Sequence, residues 1–324
     1  MKIFVTGASG FVGGAFVKAL AGQYEIRAMS RSDTSDEKIR ALGATPVRCE
    51  LNQVTAGQLA GCDAVVHCAA FVEEWGPWPA YKSMNVDGAK QLLDVAKRAG
   101  VKRFVHIGTE AALFKGQPMR DVDERYPLAL DSPFYYSRSK AMAEQAVRAA
   151  NDSLHGFTTI VVRPRFVWGP GDLTILPVVK AMAEKGQFAW IDGGKARTST
   201  TYIGNLVHGI DLALTNGKGG EAYFVLDGPP VVFRDFLTRM MGAAGITLGE
   251  RSVPGFAVRA LAYVAEGIWR LLGLKSKPPM TRFTANIMSR DCVLKDDKAR
   301  AELGYTPAFT IDEGLAALKA AQAA

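Results

Sequence analysis

Lys2-Ile-Phe-Val-Thr-Gly7-Ala-Ser-Gly10-Phe-Val-Gly13 is the stretch that decides the fold class. A short apolar run breaks at three spaced glycines, and residues of helical composition come next. Glycine permits a tight turn and lets a ligand approach the main chain, while the helix behind it points oriented N–H donors at an anion. Strand, glycine turn and helix in that order open a βαβ unit that cradles the pyrophosphate of a dinucleotide. Standing alone, three glycines would mean only a turn; their place at the head of an alternating series gives them weight. On this reading Gly7, Ser9, Gly10, Phe11, Val12 and Gly13 contact the dinucleotide.

The alternation continues downstream. Lys2–Thr6, Glu25–Met29, Ala64–His67, Arg103–Ile107 and Thr158–Val162 read as buried strands, and Gly14–Gly22, Asn85–Gly100 and Ser137–Ala150 as helices. Gly22 and Gly100 stand where C-caps belong. Repeated strand–helix–strand units need crossover connections, so the expected fold is α/β, a doubly wound parallel (Rossmann) sheet. This dinucleotide-binding domain is expected over residues 1–165. Pro, Gly and aromatic residues punctuate the chain beyond it, and a helix at 204–214 is expected to pack back onto the first domain. Residues 166–203 and 215–324, with a strand at Ala222–Leu226 and a helix at Phe233–Ala244, are assigned to a smaller α/β substrate lobe. A ligand cleft is expected between the two.

The end of the second strand selects the dinucleotide. An acidic residue there would bond a ribose 2′-hydroxyl and repel a 2′-phosphate; this chain has Ser30 followed by Arg31. A charge-assisted bond from a guanidinium is worth about 1.5–3 kcal/mol, so NADP(H) is favoured over NAD(H). The competing reading leaves Arg31 to solvent and gives the ribose to Asp33.

Tyr136-Ser-Arg-Ser-Lys140 opens a helical stretch, and the spacing of four puts phenol and ammonium on one face. A nearby cation favours the phenolate and is expected to draw the tyrosine towards neutrality, where it can serve as acid and base. Tyr135, one residue off the spacing, reads as packing. Thr109 ends a parallel strand, where such sheets bind ligands, and its hydroxyl can orient a substrate oxygen.

Composition sets the outer limits. Of 324 residues 48% are hydrophobic and 22% charged, ordinary values for a globular chain. Lys plus Arg exceed Asp plus Glu by 39 to 32, yet the cations are dispersed, so no nucleic-acid partner is expected. The four cysteines form no Cys-x-x-Cys pair and the four histidines stand far apart, which argues for reduced thiols and no metal. Met1-Lys2 leads directly into the first strand, so no signal peptide is expected and the expected location is cytoplasmic.

The combined pattern resembles the extended short-chain dehydrogenase/reductase superfamily. The residues that carry this resemblance are Thr6–Gly13, His67-Cys-Ala-Ala70, Asn85-Val-Asp-Gly88, Thr109, Tyr136 with Lys140, and Arg163-Pro164 followed by Gly169-Pro-Gly171. It implies that Tyr136 exchanges a proton with a carbonyl or carbinol oxygen, Lys140 tunes it and bonds the nicotinamide ribose, and Thr109 holds the substrate oxygen. It also implies cofactor contacts from Cys68, Ala69, Ala70, Pro164, Phe166 and Val167. Where relatives carry Asp-Leu after the third strand to touch adenine, this chain has Glu50-Leu51; the longer acid either still reaches or faces water.

The second half is most similar to the 3β-hydroxysteroid dehydrogenase family, including its sterol-4α-carboxylate 3-dehydrogenases. The matching stretches are Thr201–Val207, Ala222–Pro230 with Phe233–Phe236, and Pro278-Pro-Met-Thr-Arg282. That similarity implies an NAD(P)-dependent interconversion of a secondary alcohol and a ketone on a small hydrophobic substrate, and commonly a homodimer. Trp75 and Trp78, after the fourth strand, offer apolar faces to such a substrate, as does Phe166, with Glu110 beside the reacting oxygen; core packing is the competing reading for the tryptophans. Residues 254–274 hold Arg259, Tyr263, Glu266 and Arg270 on one helical stripe and apolar residues around the remainder, so they form a buried amphipathic helix, a lid, or a peripheral membrane contact. Three alternatives stay open. A sugar-nucleotide epimerase or dehydratase would need a second phosphate clamp, for which Arg165, Lys195 and Arg197 are candidates. A reductase of long-chain β-keto acids or dihydroflavonol-like ketones is the second, and a non-catalytic dinucleotide sensor the third.

Overall fold

The structure, a computed structural model, describes residues 1–323. Seven strands form the main sheet: β1 (Lys2–Thr6), β2 (Glu25–Ser30), β3 (Thr45–Arg48), β4 (Ala64–His67), β5 (Arg103–Ile107), β6 (Thr158–Pro164) and β7 (Glu221–Val225). Every neighbouring pair is parallel, in the order β7-β6-β5-β4-β1-β2-β3. Alternate residues of a strand point to opposite faces, and both faces here are covered. Ile3 and Val5 join Phe16, Val17 and Ile210 on one side, while Phe4 joins Leu92, Val95 and Phe104 on the other. β3, which follows from the resemblance rather than from a β-branched run, carries Pro46; it lies at the sheet edge, where a missing N–H costs no ladder bond.

The helices that position the site are α1 (Phe11–Leu20), α2 (Asp33–Ala41), α3 (Gly88–Arg98), α4 (Tyr135–Ala149) and α5 (Ile203–Asn216). Gly100 takes the left-handed conformation just beyond α3 (φ +77°), as its placement implied. Gly22 does not: Ala21 caps α1 in a right-handed geometry and Gly22 has no positive φ. β1 borders both β2 and β4, so the winding reverses there and a crevice opens beyond the carboxyl ends of β1 and β4.

The division of the chain at 165 and 215 needs two corrections. β7 falls within the stretch assigned to the second lobe, yet it extends the main sheet through β6. Conversely, the second lobe's four-stranded sheet, ordered Val231–Val232, Arg197–Thr198, Cys292–Leu294 and Met119–Val122, takes its last strand from the first half of the chain. Strands this short carry little periodicity, and their pairing is decided by contacts remote in sequence.

Two more helices complete the site's surroundings, α6 (Gly255–Leu271) and α7 (Arg282–Ile287). α6 is not a buried amphipathic helix. Two members of its polar stripe turn to the protein, since Arg259 donates to Ser289 Oγ at 2.9 Å and Glu266 accepts from Arg282 N at 2.6 Å and Nε at 2.8 Å, while Tyr263 and Arg270 stay exposed. The apolar face is outermost, with Phe256, Leu261, Val264, Ile268 and Leu271 all exposed and Leu271 at 85%. Among the described residues no helix is long and apolar enough to cross a membrane.

Candidate active site

α1 begins at the glycine turn with Gly10 as N-cap; no side chain caps it and its first turn holds no acid. Its leading N–H groups are therefore free for an anionic ligand. Gly7 has φ +74°, and a Cβ there would lie 2.8 Å from Ala69 N, so the loops after β1 and β4 touch. A Cβ on Gly13 would sit 2.4 Å from Gly7 O. The glycines are thus required by the close approach of backbone to backbone, whatever binds.

A cleft of about 580 Å³ runs from this turn across the ends of β1, β4, β5 and β6. Its walls include the glycine turn with Ser9, Phe11 and Val12, Arg31 and Glu50-Leu51 at one end, Cys68–Ala70, and Pro164, Phe166 and Val167. Thr109, Glu110, Tyr136 and Lys140 also line it. This arrangement fits a dinucleotide: an uncapped helix N-terminus and closely packed glycines beside a long cleft. Asp33 is absent from the wall, and its carboxylate pairs with Arg48 at 2.6 Å. Phe166 is held at φ +45°, an unfavourable conformation for a side chain of its bulk, directly at the cleft.

Tyr136 lies in the first turn of α4 and Thr109 just beyond the end of β5, and both side chains line the cleft. α4 is anchored from both sides. The Arg163 guanidinium donates to Glu144 Oε2 at 2.9 Å in a fully buried pair. Asn85 Nδ2 donates to Ser139 Oγ at 2.9 Å, while its Oδ1 accepts from Phe71 N at 2.7 Å.

Lys140 is not among the groups that act on the phenol in this structure, unlike the expectation from the spacing. Lys140 Nζ donates to Ile107 O at 2.7 Å and stands 3.4 Å from His106 Nε2, and burial draws the ammonium down to about 8. Tyr136 is pushed well above its ordinary value, chiefly by burial and next by the Glu110 carboxylate. The phenol is therefore a proton donor at neutral pH. His67 is drawn down to about 3 by burial and then by Lys140, and His106 falls well below its usual value for the same reasons, so both are neutral. Among the described residues no cluster of His, Cys, Asp or Glu is placed to hold a metal.

Several site features escaped the sequence reading. Arg165 pairs with Glu110 at 3.0 Å, both buried, which removes Arg165 as a free phosphate clamp; Lys195 and Arg197 are exposed and do not line the cleft. α7 supplies an apolar wall through Phe283 and Ile287. The Pro278–Arg282 stretch just before it was legible only as a family match, without a direction. Trp75 and Trp78 lie outside the main cleft, in an adjoining recess of about 710 Å³ that shares Glu74, Tyr136 and Phe283 with it. Trp75 lies under the Arg270 guanidinium at 5.7 Å and Trp78 under that of Arg138 at 4.8 Å. Tyr135 packs against Trp78 and Tyr81, as its offset implied.

The profile of the 3-beta hydroxysteroid dehydrogenase/isomerase family matches residues 4–254. The chain belongs to that family. It is an NAD(P)-dependent oxidoreductase of the extended short-chain dehydrogenase/reductase type. Over 99% of this chain and 96% of its relative it is 40% identical to a 4-hydroxy-2-methyl-3-oxo-4-farnesyl-3,4-dihydroquinoline-1-oxide ketoreductase of Stigmatella aurantiaca. It is 32% identical to a 2-alkyl-3-oxoalkanoate reductase of Stenotrophomonas maltophilia over the whole of both chains. A UDP-glucuronic acid 4-epimerase of Bacillus cereus, solved with NAD, shares the fold with a TM-score of 0.76 at 19% identity, covering 100% of this chain and 99% of its own. This family's fold thus serves epimerases and ketone reductases alike, and the site must separate them.

Proposed function

We propose that this enzyme reduces a ketone carried on a bulky apolar skeleton to the secondary alcohol, with NADPH as hydride donor. The observation that carries the reading is the placement of Thr109, Tyr136 and Lys140 together in the wall of the glycine-turn cleft. A nicotinamide cofactor supplies the hydride when bound. The chain's residues do the rest: the Gly7–Gly13 turn and α1 bind the pyrophosphate, Lys140 stands where it can reach the nicotinamide ribose, and Tyr136 Oη delivers the proton to the ketone oxygen.

Phe283, Ile287, Val72 and Phe166 favour an apolar substrate, and the recess with Trp75 and Trp78 extends the space available to a ring system or alkyl chain. Both relatives named above are named as reductases of ketones, which supports the reductive direction. With Arg165 neutralised by Glu110, a sugar diphosphate has no evident second clamp among the described residues. Arg31 at the cleft wall, with Asp33 turned to Arg48, supports NADPH. A panel containing a 3-ketosteroid, a 2-alkyl-3-oxoalkanoate and UDP-glucose, followed by the absorbance of reduced nicotinamide, tests the reading. Turnover of UDP-glucose alone, without net change in cofactor, would overturn it in favour of epimerisation.

The outward face of α6 has a reading of its own. About half of its circumference carries no charge at all, while Arg251, Lys275 and Lys277 flank it. Apolar side chains with cations at both ends suit the interface of an anionic bilayer, from which an apolar substrate would arrive. Leu274 and Trp269 of this segment border the recess that leads to Tyr136.

A further inference from the structure

Thr109 heads a chain of buried polar contacts that neither the glycine turn nor the Tyr136–Lys140 spacing requires. Its hydroxyl donates to Glu110 Oε2 at 2.7 Å and accepts from Ala111 N at 3.2 Å. Glu110 Oε1 is in turn ion-paired with Arg165 Nη1 at 3.0 Å. All three side chains are buried, with Glu110 only 4% exposed. Burying such a pair in place of apolar residues gives little net stability, so its contribution lies in what it does to its neighbours.

A hydroxyl has one proton. Thr109 gives that proton to Glu110, so towards the cleft, which Tyr136 also lines, it has only lone pairs to offer. We propose that Glu110, held by Arg165, is a positioning residue that fixes Thr109 as an acceptor and thereby leaves the Tyr136 phenol as the hydroxyl donor at this part of the cleft wall. The inference rests on the reading of Tyr136 as the acid of a ketone reduction. A ketone oxygen at this site then takes its hydrogen bond and its proton from Tyr136, and the new carbinol O–H can donate to Thr109 Oγ1. Arg165 fixes the carboxylate within the wall.

The charged and titratable groups around the phenol are few. Glu110 faces it from the end of β5, backed by Arg165 from the segment after β6 and by Cys292 from the second lobe. Lys140 lies on the phenol's own helix, turned to Ile107 O. Tyr81 approaches from the helical turn before α3, and Glu74 at the wall is bound by Lys277 and Thr284. Of these, Glu110 is the carboxylate acting on Tyr136, and burial and Glu110 together raise it.

The test uses the whole protein carrying ring-labelled (13Cζ) tyrosine, with the Tyr136 resonance assigned by its loss in Tyr136→Phe. In the wild type the resonance should stay at the phenol position throughout the pH range in which the protein remains folded. Glu110→Gln should bring an ionisation into that range, lowering the midpoint by about one pH unit or more. Because Glu110→Gln strands the Arg165 cation, Glu110→Gln with Arg165→Gln is the second variant; it should show a smaller fall in the same direction. Glu110→Asp, which keeps the charge, should behave as the wild type. An unmoved Tyr136 resonance in both Gln variants, or a fall in Glu110→Asp equal to that in Glu110→Gln, overturns the proposal. Turnover of Tyr136→Phe decides the acid role separately, since the titration needs no substrate.

Discussion

Lys140→Met replaces the buried ammonium by an apolar group of similar length, and the structure fixes how stability should then depend on pH. The folded protein holds Lys140 at about 8, against an ordinary value of 10.5. Between those values the unfolded chain binds the extra proton, so the wild type gains stability as pH rises. The penalty for the buried cation is present in full below pH 8 and is relieved between pH 8 and 10.5. Its size is on the order of 3 kcal/mol. Against it stands the bond to Ile107 O, whose loss leaves a buried carbonyl unpaired at a cost of about 1–3 kcal/mol. The two effects nearly offset at pH 7, where the variant should unfold within about 2 kcal/mol of the wild type. By pH 10 the difference should have moved by roughly 2–3 kcal/mol in favour of the wild type. Urea unfolding of both proteins at the two pH values, followed by circular dichroism, measures the change. Parallel pH dependence would refute the reasoning, because it would mean that Lys140 is not held neutral more readily in the fold than outside it.

Gly13→Ala drives a Cβ to within 2.4 Å of Gly7 O, so the turn must open. Overpacking of this kind costs about 1–3 kcal/mol, and the displaced donors should weaken cofactor binding at least tenfold by fluorescence titration; unchanged melting and affinity would contradict the packing argument. Arg31→Asp should reverse the preference from NADPH to NADH, each charge-assisted bond being worth about ten- to a hundredfold; equal affinities before and after would remove Arg31 from the cofactor site. Leu261→Glu with Ile268→Glu places two charges on the outward face of α6, away from both cavities. The wild type should float with phosphatidylglycerol vesicles and the variant should not. If the wild type stays with the aqueous phase and the variant instead dissociates a dimer in light scattering, the face is an interface between copies of this chain.

The nucleotide-binding half was legible because its signals are local. β1, β4 and β5 follow from apolar runs bounded by turn residues, and the glycine turn follows from the backbone contact that only Gly7 and Gly13 allow. The placing of Thr109 and Tyr136 at one cleft followed from two local signals that the fold brings to one wall. What the sequence could not supply was direction. The stripe of Arg259, Tyr263, Glu266 and Arg270 was visible, but which of its members turned to the protein depended on Ser289 and Arg282, remote in the chain. The ammonium of Lys140 shares its helix face with the phenol, yet a carbonyl at the end of β5 claims it. Arg165 looked like a free cation until the fold set Glu110 beside it. The Met119–Val122 strand pairs with a segment some 170 residues later, which no local pattern announces.

Tyr136→Phe removes a single oxygen from the cleft wall, and it tests the central claim most directly. With the ketone of the panel that is reduced fastest, kcat should fall on the order of a thousandfold while the dissociation constant for NADPH stays within about twofold of the wild-type value, a loss of proton delivery without a loss of cofactor binding. Near wild-type turnover in that variant would show that the proton comes from elsewhere, and would contradict the account.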